Sequence, residues 1–346
     1  MAFTTIDKSS LHFNTKLYTG NGSTQSITGV GFQPDLVWTK ERSGVCDHHI
    51  FDVIRGATYK INSASTEASS ADANTLTAFT ADGFNVGTNA CQNNSSDTFT
   101  SWNWKAGNSA GSSNTDGSIN TTATSVNTTA GFSISKYTGT GSAATVGHGL
   151  GAVPKMIMVK KTSGAESWGV YHNGIGNTHF LQLNTTGASS DNAVFWNDTD
   201  PTSSVFTINT DAGVNGSGQT YIAYAFTDII GFSKFGTYNG NGNANGTFIY
   251  TGFKPAWLMI KRTDSTDSWF MYDNKRSSFN VVDDYLIANS SNAESTSASV
   301  NMDFLSNGVK IRNTDGGHNN SSGTYIYMAF AEAPLVGSNN VPATAR

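Results

Sequence analysis

Residues Tyr18–Lys40 read YTGNGSTQSITGVGFQPDLVWTK, with glycines at 20, 22, 29 and 31 and then an apolar run closed by lysine. A glycine-rich stretch before an apolar run is either a phosphate cradle or a set of tight turns between strands. A phosphate loop needs Gly-x4-Gly-Lys-[Ser/Thr] opening a helix, so that backbone N–H groups converge on the anion. No Gly-Lys pair stands in this stretch, and Gln25 occupies the place where a dinucleotide fingerprint requires its third glycine. The turn reading predicts strands on both sides.

The stretch recurs, which settles its meaning. Tyr137-Thr138-Gly139-Thr140-Gly141 and Tyr238-Asn239-Gly240-Asn241-Gly242 repeat its opening. Each copy continues to a proline 16 or 17 residues after the tyrosine and to a lysine 6 residues after that proline: Pro34 to Lys40, Pro154 to Lys160 and Pro255 to Lys261. Fourteen residues past each proline stand His48, Trp168 and Trp269, and each copy ends in an aromatic segment, at 101–104, 221–226 and 325–330. Self-similarity at this period marks a repeat architecture. The expected organisation is a first repeat within 1–107, a flexible linker at 108–130 with few apolar residues, a second repeat at 131–230, a third at 231–333, and a C-terminal arm at 334–346.

Apolar segments are short and bounded by Gly, Asn, Asp or Ser, which is strand punctuation. Leu36–Thr39, Met156–Val159 and Leu258–Ile260 are continuous apolar runs, as in a central strand buried on both faces. Asp82-Gly83 and Asn307-Gly308 are hairpin signals. No window carries a sustained helical period. The fold class expected is all-β, with three tandem antiparallel β-sandwiches of jelly-roll or lectin-like type.

Composition narrows the function classes. The chain has 346 residues, only 13% of them charged, with 36 glycines and a net charge of −5. A charged fraction near half the usual value leaves neutral Asn, Ser and Thr to cover the surface. No basic cluster offers a phosphate-neutralising footprint, so nucleic acid is not an expected partner. No apolar run is long enough to span a membrane. The N-terminal segment lacks a signal-peptide core, so assembly in a cytosol is expected. The two cysteines, Cys46 and Cys91, allow at most one disulfide.

Catalytic and metal patterns are weak. Cys46-Asp47-His48-His49 gathers three ligand types in one short loop, where zinc takes two separated pairs, and the other copies replace it with Glu166-Ser167-Trp168 and Asp267-Ser268-Trp269. Glycoside hydrolysis requires paired carboxylates. The five glutamates are scattered, and Asp283-Asp284 would point to opposite faces of a strand. Asp315–Asn320 reads as a hairpin loop rather than a cation site. No catalytic residue, metal ligand or cofactor is expected. The aromatic pairs Trp168 with Tyr171 and Trp269 with Tyr272 recur at one spacing. A repeated aromatic at a repeated place reads first as filling a repeated core slot, and the alternative makes these four candidate platforms for a host-surface glycan.

The first copy resembles a repeat domain found in virion proteins of marine tailed phages. The likeness lies in Tyr18 through Phe32-Gln33-Pro34-Asp35-Leu36-Val37-Trp38, Asp52-Val53-Ile54-Arg55-Gly56, Asp82-Gly83-Phe84 and Trp102-Asn103-Trp104-Lys105-Ala106-Gly107. The opening MAFTTIDKSS and the ending Val341-Pro342-Ala343-Thr344-Ala345-Arg346 are similar to that family's termini. Copies two and three lack the Asp-x-x-Arg-Gly and Trp-x-Trp-Lys segments. The resemblance implies a non-enzymatic virion structural protein, as capsid decoration or tail-fibre component, localised to the particle. Its partners would be other virion proteins, a further copy of itself, or a host surface polysaccharide. The candidate docking arm includes Val341, Pro342 and Arg346.

Overall fold

The three apolar runs set the plan of the molecule, because each supplies the central strand of a broad antiparallel sheet. The computed structural model describes residues 4–336 and residue 342. In the first unit the broad sheet runs, in spatial order, Phe13–Thr19, Thr98–Trp104, Leu36–Glu41, His49–Asp52, Tyr59–Asn62, Ser70–Ala71. In the third it runs Ser233–Asn239, Thr324–Pro334, Phe253–Arg262, Trp269–Asp273, Asp284–Ile287, Ser295–Thr296. The second places Phe132–Thr138, Thr220–Phe226, Met156–Lys161 and Gly169–His172 in the same order. Each unit also has a small sheet: Gln25–Thr28, Gly83–Val86 and Leu76–Thr80 in the first, Ala144–Gly147 with Val205–Ile208 in the second, and Phe248–Tyr250, Gly308–Ile311 and Met302–Leu305 in the third. The all-β class is as expected.

Side chains alternate across a strand, so a strand that is apolar throughout needs two apolar partners. Here one partner is the unit's own small sheet. Val37 packs with Ile27, Leu76 and Phe84; Ile157 and Val159 pack with Phe206 and Ile208; Leu258 and Ile260 pack with Met302 and Val309. The other partner is shared. Leu36 and Trp38, Met156 and Met158, and Trp257 and Met259 all belong to one cluster drawn from all three units. At its heart the matching residues of the last strands meet: the ring centroids of Trp104, Phe226 and Phe330 lie 6.5, 5.7 and 6.1 Å apart.

Each unit thus keeps a core of its own beneath its small sheet, and a shared core joins the three. The units stand around an approximate threefold axis with this common core between their broad sheets. The expected flexible linker at 108–130 is corrected. Ala123–Asn127 pairs with Phe132–Thr138 as an added edge strand of the second unit, and Ser112 and Ile119 form bridges to Thr124 and Val146. Its β-branched residues Thr124 and Val126 carry the pairing, and the Ser and Thr hydroxyls around them find partners, as when Thr121 meets Thr124 at 2.9 Å. Of the expected docking arm, Pro342 is exposed and bridged to Val336, while Val341 and Arg346 lie outside the described residues.

Candidate functional site: loops and seams

The glycine loops that open each unit are held from inside. The tyrosine before each loop stacks on the aromatic at the second position of the last strand: Tyr18 on Phe99, Tyr137 on Tyr221 and Tyr238 on Tyr325, at 5.1, 5.2 and 4.8 Å. Its hydroxyl donates to a carbonyl of a short helical turn, Gln92 O, Val214 O or His318 O. The next residue is a buried asparagine. Asn215 Nδ2 donates to Ser142 O and Asn209 O at 2.6 and 2.7 Å, and its Oδ1 accepts from Thr140 N at 2.8 Å. Asn93 and Asn319 repeat this, with Asn93 Nδ2 bonded to Ser23 O and Gly87 O. A Cβ on Gly20, Gly139 or Gly240 would collide with the backbone of the turn. Gly22, Gly141 and Gly242 sit at φ of 72, 73 and 64°, where a side chain is strained. The N–H groups of Gly20 and Gly22 bond Asp97 O and Asn93 O. They are spent on the chain itself.

The four candidate glycan-contact aromatics are corrected. Trp168, Tyr171, Trp269 and Tyr272 are 0, 3, 1 and 0% exposed, so none offers a ring face to a sugar. Tyr171 and Tyr272 face their own small sheets, and Tyr272 Oη donates to Val300 O and meets His318 Nε2. The tryptophans join units. Trp168 Nε1 donates to Asn62 O of the first unit at 2.9 Å, and Trp269 Nε1 to Gln182 O of the second at 3.1 Å. His48, at the same place in the first unit, closes the ring. Trp38 Nε1 donates to His48 Nδ1, which fixes the tautomer so that Nε2–H donates to Ile287 O of the third unit at 3.0 Å.

A second cyclic set lies at the ends of the fourth strands. Asp52 Oδ2 accepts from Tyr224 Oη of the second unit at 2.8 Å. His172 Nε2 donates to Tyr327 O of the third at 3.3 Å, and Asp273 Oδ2 accepts from Trp102 Nε1 of the first at 3.0 Å. Asp52 and Asp273 each also hold an arginine three residues on, Arg55 at 2.5 Å and Arg276 at 2.6 Å. Burial works to raise the Asp273 pKa, but the Arg276 guanidinium and its hydrogen bonds outweigh it, and the carboxyl is held below the usual range. The third unit thus keeps the Asp-x-x-Arg pair, with Ser277 where the first has Gly56; the sequence reading missed it.

The repeated lysines are a third set. Lys160 Nζ donates to Glu166 O and to Thr66 O of the first unit; Lys261 Nζ donates to Arg262 O and to Thr186 O of the second. Burial pushes Lys40, Lys160 and Lys261 down to about 8. His49 and His172 are likewise kept neutral: burial, with the Lys60 charge, lowers His49 to about 3, and burial lowers His172 to about 4 against its bond to Tyr327 O.

Such shifts can mark catalysis, but here Lys160, Lys261 and His172 reach across a seam, while Lys40 and His49 bond Gly44 O and Gln92 within the first unit. Cys46 is disulfide-bonded to Cys91, and His49 is bonded to Gln92, which dissolves the four-residue ligand cluster. Among the described residues no group of three or more His, Cys, Asp or Glu is placed to hold a metal. Asp315–Asn320, expected as a hairpin loop, is a short helical turn at Gly316–Asn319 whose cap Asp315 accepts from Gly317 N and bonds His318 Nδ1.

No curated protein matches the chain. A family model described as a domain of unknown function, DUF7483, matches residues 8–334, an interval that takes in all three units and their shared core. By that match the chain belongs to the DUF7483 family.

Proposed function

We propose that this chain is a non-enzymatic structural protein of a tailed-phage particle, a surface decoration or appendage. We read its units as three sandwiches fused into a single rigid module. One observation carries the reading: buried side chains that could do chemistry, among them His48, His172, Asp52, Asp273, Lys160 and Trp168, are committed to bonds that tie one unit to the next. A polar surface of low charge over a cyclic core suits a protein whose task is to persist on a particle. The resemblance of its first copy and termini to phage virion proteins is what supports a place on the particle. The partners would be capsid or tail subunits.

The test is immunogold microscopy of intact phage particles with antibody raised against the purified chain. Regular labelling of heads or tails is expected. Chain present in the infected lysate but absent from purified particles would overturn the proposal.

A further inference from the structure

The pseudo-threefold arrangement lets one seam be compared with another. At the seam between the third and first units, Arg276 is fully buried and held by Asp273 and by Met271 O at 2.9 Å. Its Nη1 points to Glu294 Oε2 at 3.1 Å. Arg42 grips the same carboxylate from the first unit, with Nη2 2.7 Å from Oε1. One carboxylate is thus clamped between two cations.

The seam between the first and second units has the same frame. Arg55 is held by Asp52 and by Ile50 O at 2.8 Å, the counterparts of Asp273 and Met271 O. Ser69 stands where Glu294 stands, and the backbone agrees: Ser69 N donates to Thr162 O as Glu294 N donates to Arg42 O. The clamped carboxylate, however, is missing. Among the described residues Arg55 Nη1 meets only Ser69 Oγ, at 3.2 Å, and Tyr59 O. In its place is a cavity of about 310 Å³ lined by Arg55, Tyr59, Ser69, Lys136 and Thr162, with no acidic side chain among them. Lys136 takes the role of second cation. It precedes Tyr137 as Leu17 precedes Tyr18, and its ammonium has no hydrogen-bond or ion-pair partner among the described residues. The seam between the second and third units carries Ile175 at the arginine position and so has no such clamp.

We propose that the seam between the first and second units binds a small carboxylate of about monosaccharide size, its carboxylate lying where Glu294 lies at the ring-closing seam. Arg55 and Lys136 hold the charge, and the hydroxyls of Tyr59 and Ser69 meet the remaining polar atoms. A hexuronic acid fits both the volume and the hydroxyl-rich lining. The proposal does not depend on the virion reading.

The test is titration of the full chain with D-glucuronate, followed by calorimetry or NMR, with D-glucose as the uncharged control. Saturable binding of glucuronate and none of glucose is expected. Lys136→Leu, which installs the residue of the first unit, should weaken binding at least roughly tenfold, the worth of one charge-assisted hydrogen bond. Ser69→Glu, which installs the residue of the third unit, should fill the site with a tethered carboxylate. It should abolish binding and raise the melting temperature, and it decides the matter even if Lys136→Leu folds poorly. Absence of saturable glucuronate binding, or binding unchanged in Ser69→Glu, would overturn the proposal.

Discussion

Replacing Phe330 with alanine tests whether the three units share one stability. The ring is 1% exposed. Its centroid lies 4.9 Å from Phe13 and 5.7 Å from Trp104 in the first unit, 6.1 Å from Phe226 in the second, and 6.0 Å from Trp257 in its own. Truncating a buried phenylalanine costs about 3–5 kcal/mol in lost transfer energy and cavity. The site has little freedom to collapse, because its neighbours are large rings fixed by three different sheets, so about 4 kcal/mol is expected. That corresponds to a rise in the unfolding equilibrium constant of roughly three orders of magnitude. The loss should be felt by all units together. Denaturant melts of both proteins should show one transition, with the midpoint lowered in the variant. Hydrogen exchange read by mass spectrometry should show peptides spanning Phe13–Thr19, Phe132–Thr138 and Ser233–Asn239 losing protection by a similar factor. If exchange accelerates only in the third unit while the first keeps its protection, the shared core does not couple the units and the reasoning fails.

Two further outcomes follow from the loops and the buried histidines. Asn215→Ala should cost about 3 kcal/mol, because it strands two carbonyls and an N–H, and Asn215→Asp should be no better, since a carboxylate cannot donate to Ser142 O and Asn209 O; a thermal melt within 1 °C of the parent for either variant would contradict the assignment. His172 is held neutral in the fold, with its pKa lowered to about 4 from 6.5. The unfolded chain therefore binds more protons between those values, and stability should fall by about 3 kcal/mol as pH drops through that window. Asp35, pushed up to about 6 by burial, acts in the opposite sense below pH 6, so the measurement is the difference between the parent and His172→Gln. The slope of urea midpoint against pH should be shallower in the variant, and equal slopes would refute the account.

Much of the fold is legible in the chain. The repeats, the all-β class and the double burial of the central strands all follow from spacing and from unbroken apolar runs such as Met156–Val159. Those runs also require a second apolar partner for each broad sheet. A unit with one sandwich partner leaves the other face of its broad sheet to water, and such a face would alternate with polar residues. Trp38, Met158 and Met259 on that face called for a third layer, which is the shared core. The strand within 108–130 leaves little apolar signal because it is built from Ala, Thr, Ser, Val and Asn, whose hydroxyl bonds stand in for apolar burial. At the seams, Trp168 and Trp269 gave a true spacing signal. What they touch was hidden, because a carbonyl acceptor on a strand of another unit leaves no mark on the residue type that supplies it. The asparagines Asn93, Asn215 and Asn319 were findable: each stands five residues before the threonine that opens the last strand. Glu294 and Ser69 become meaningful only when the units are superposed around the axis.

The bond from His48 to Ile287 has a consequence for how such a chain can evolve. Open arrays lengthen by duplication, since a new copy stacks on the last and leaves the others undisturbed. A closed ring has no free end. Each copy subtends a fixed angle, and the last must meet the first. Recombination that added a fourth copy, or deleted one, would leave two apolar sheet faces without partners and separate His48 from its acceptor. The number of copies is thus a property of the circle and not of the copying, and drift is confined to what each copy carries within its own sector.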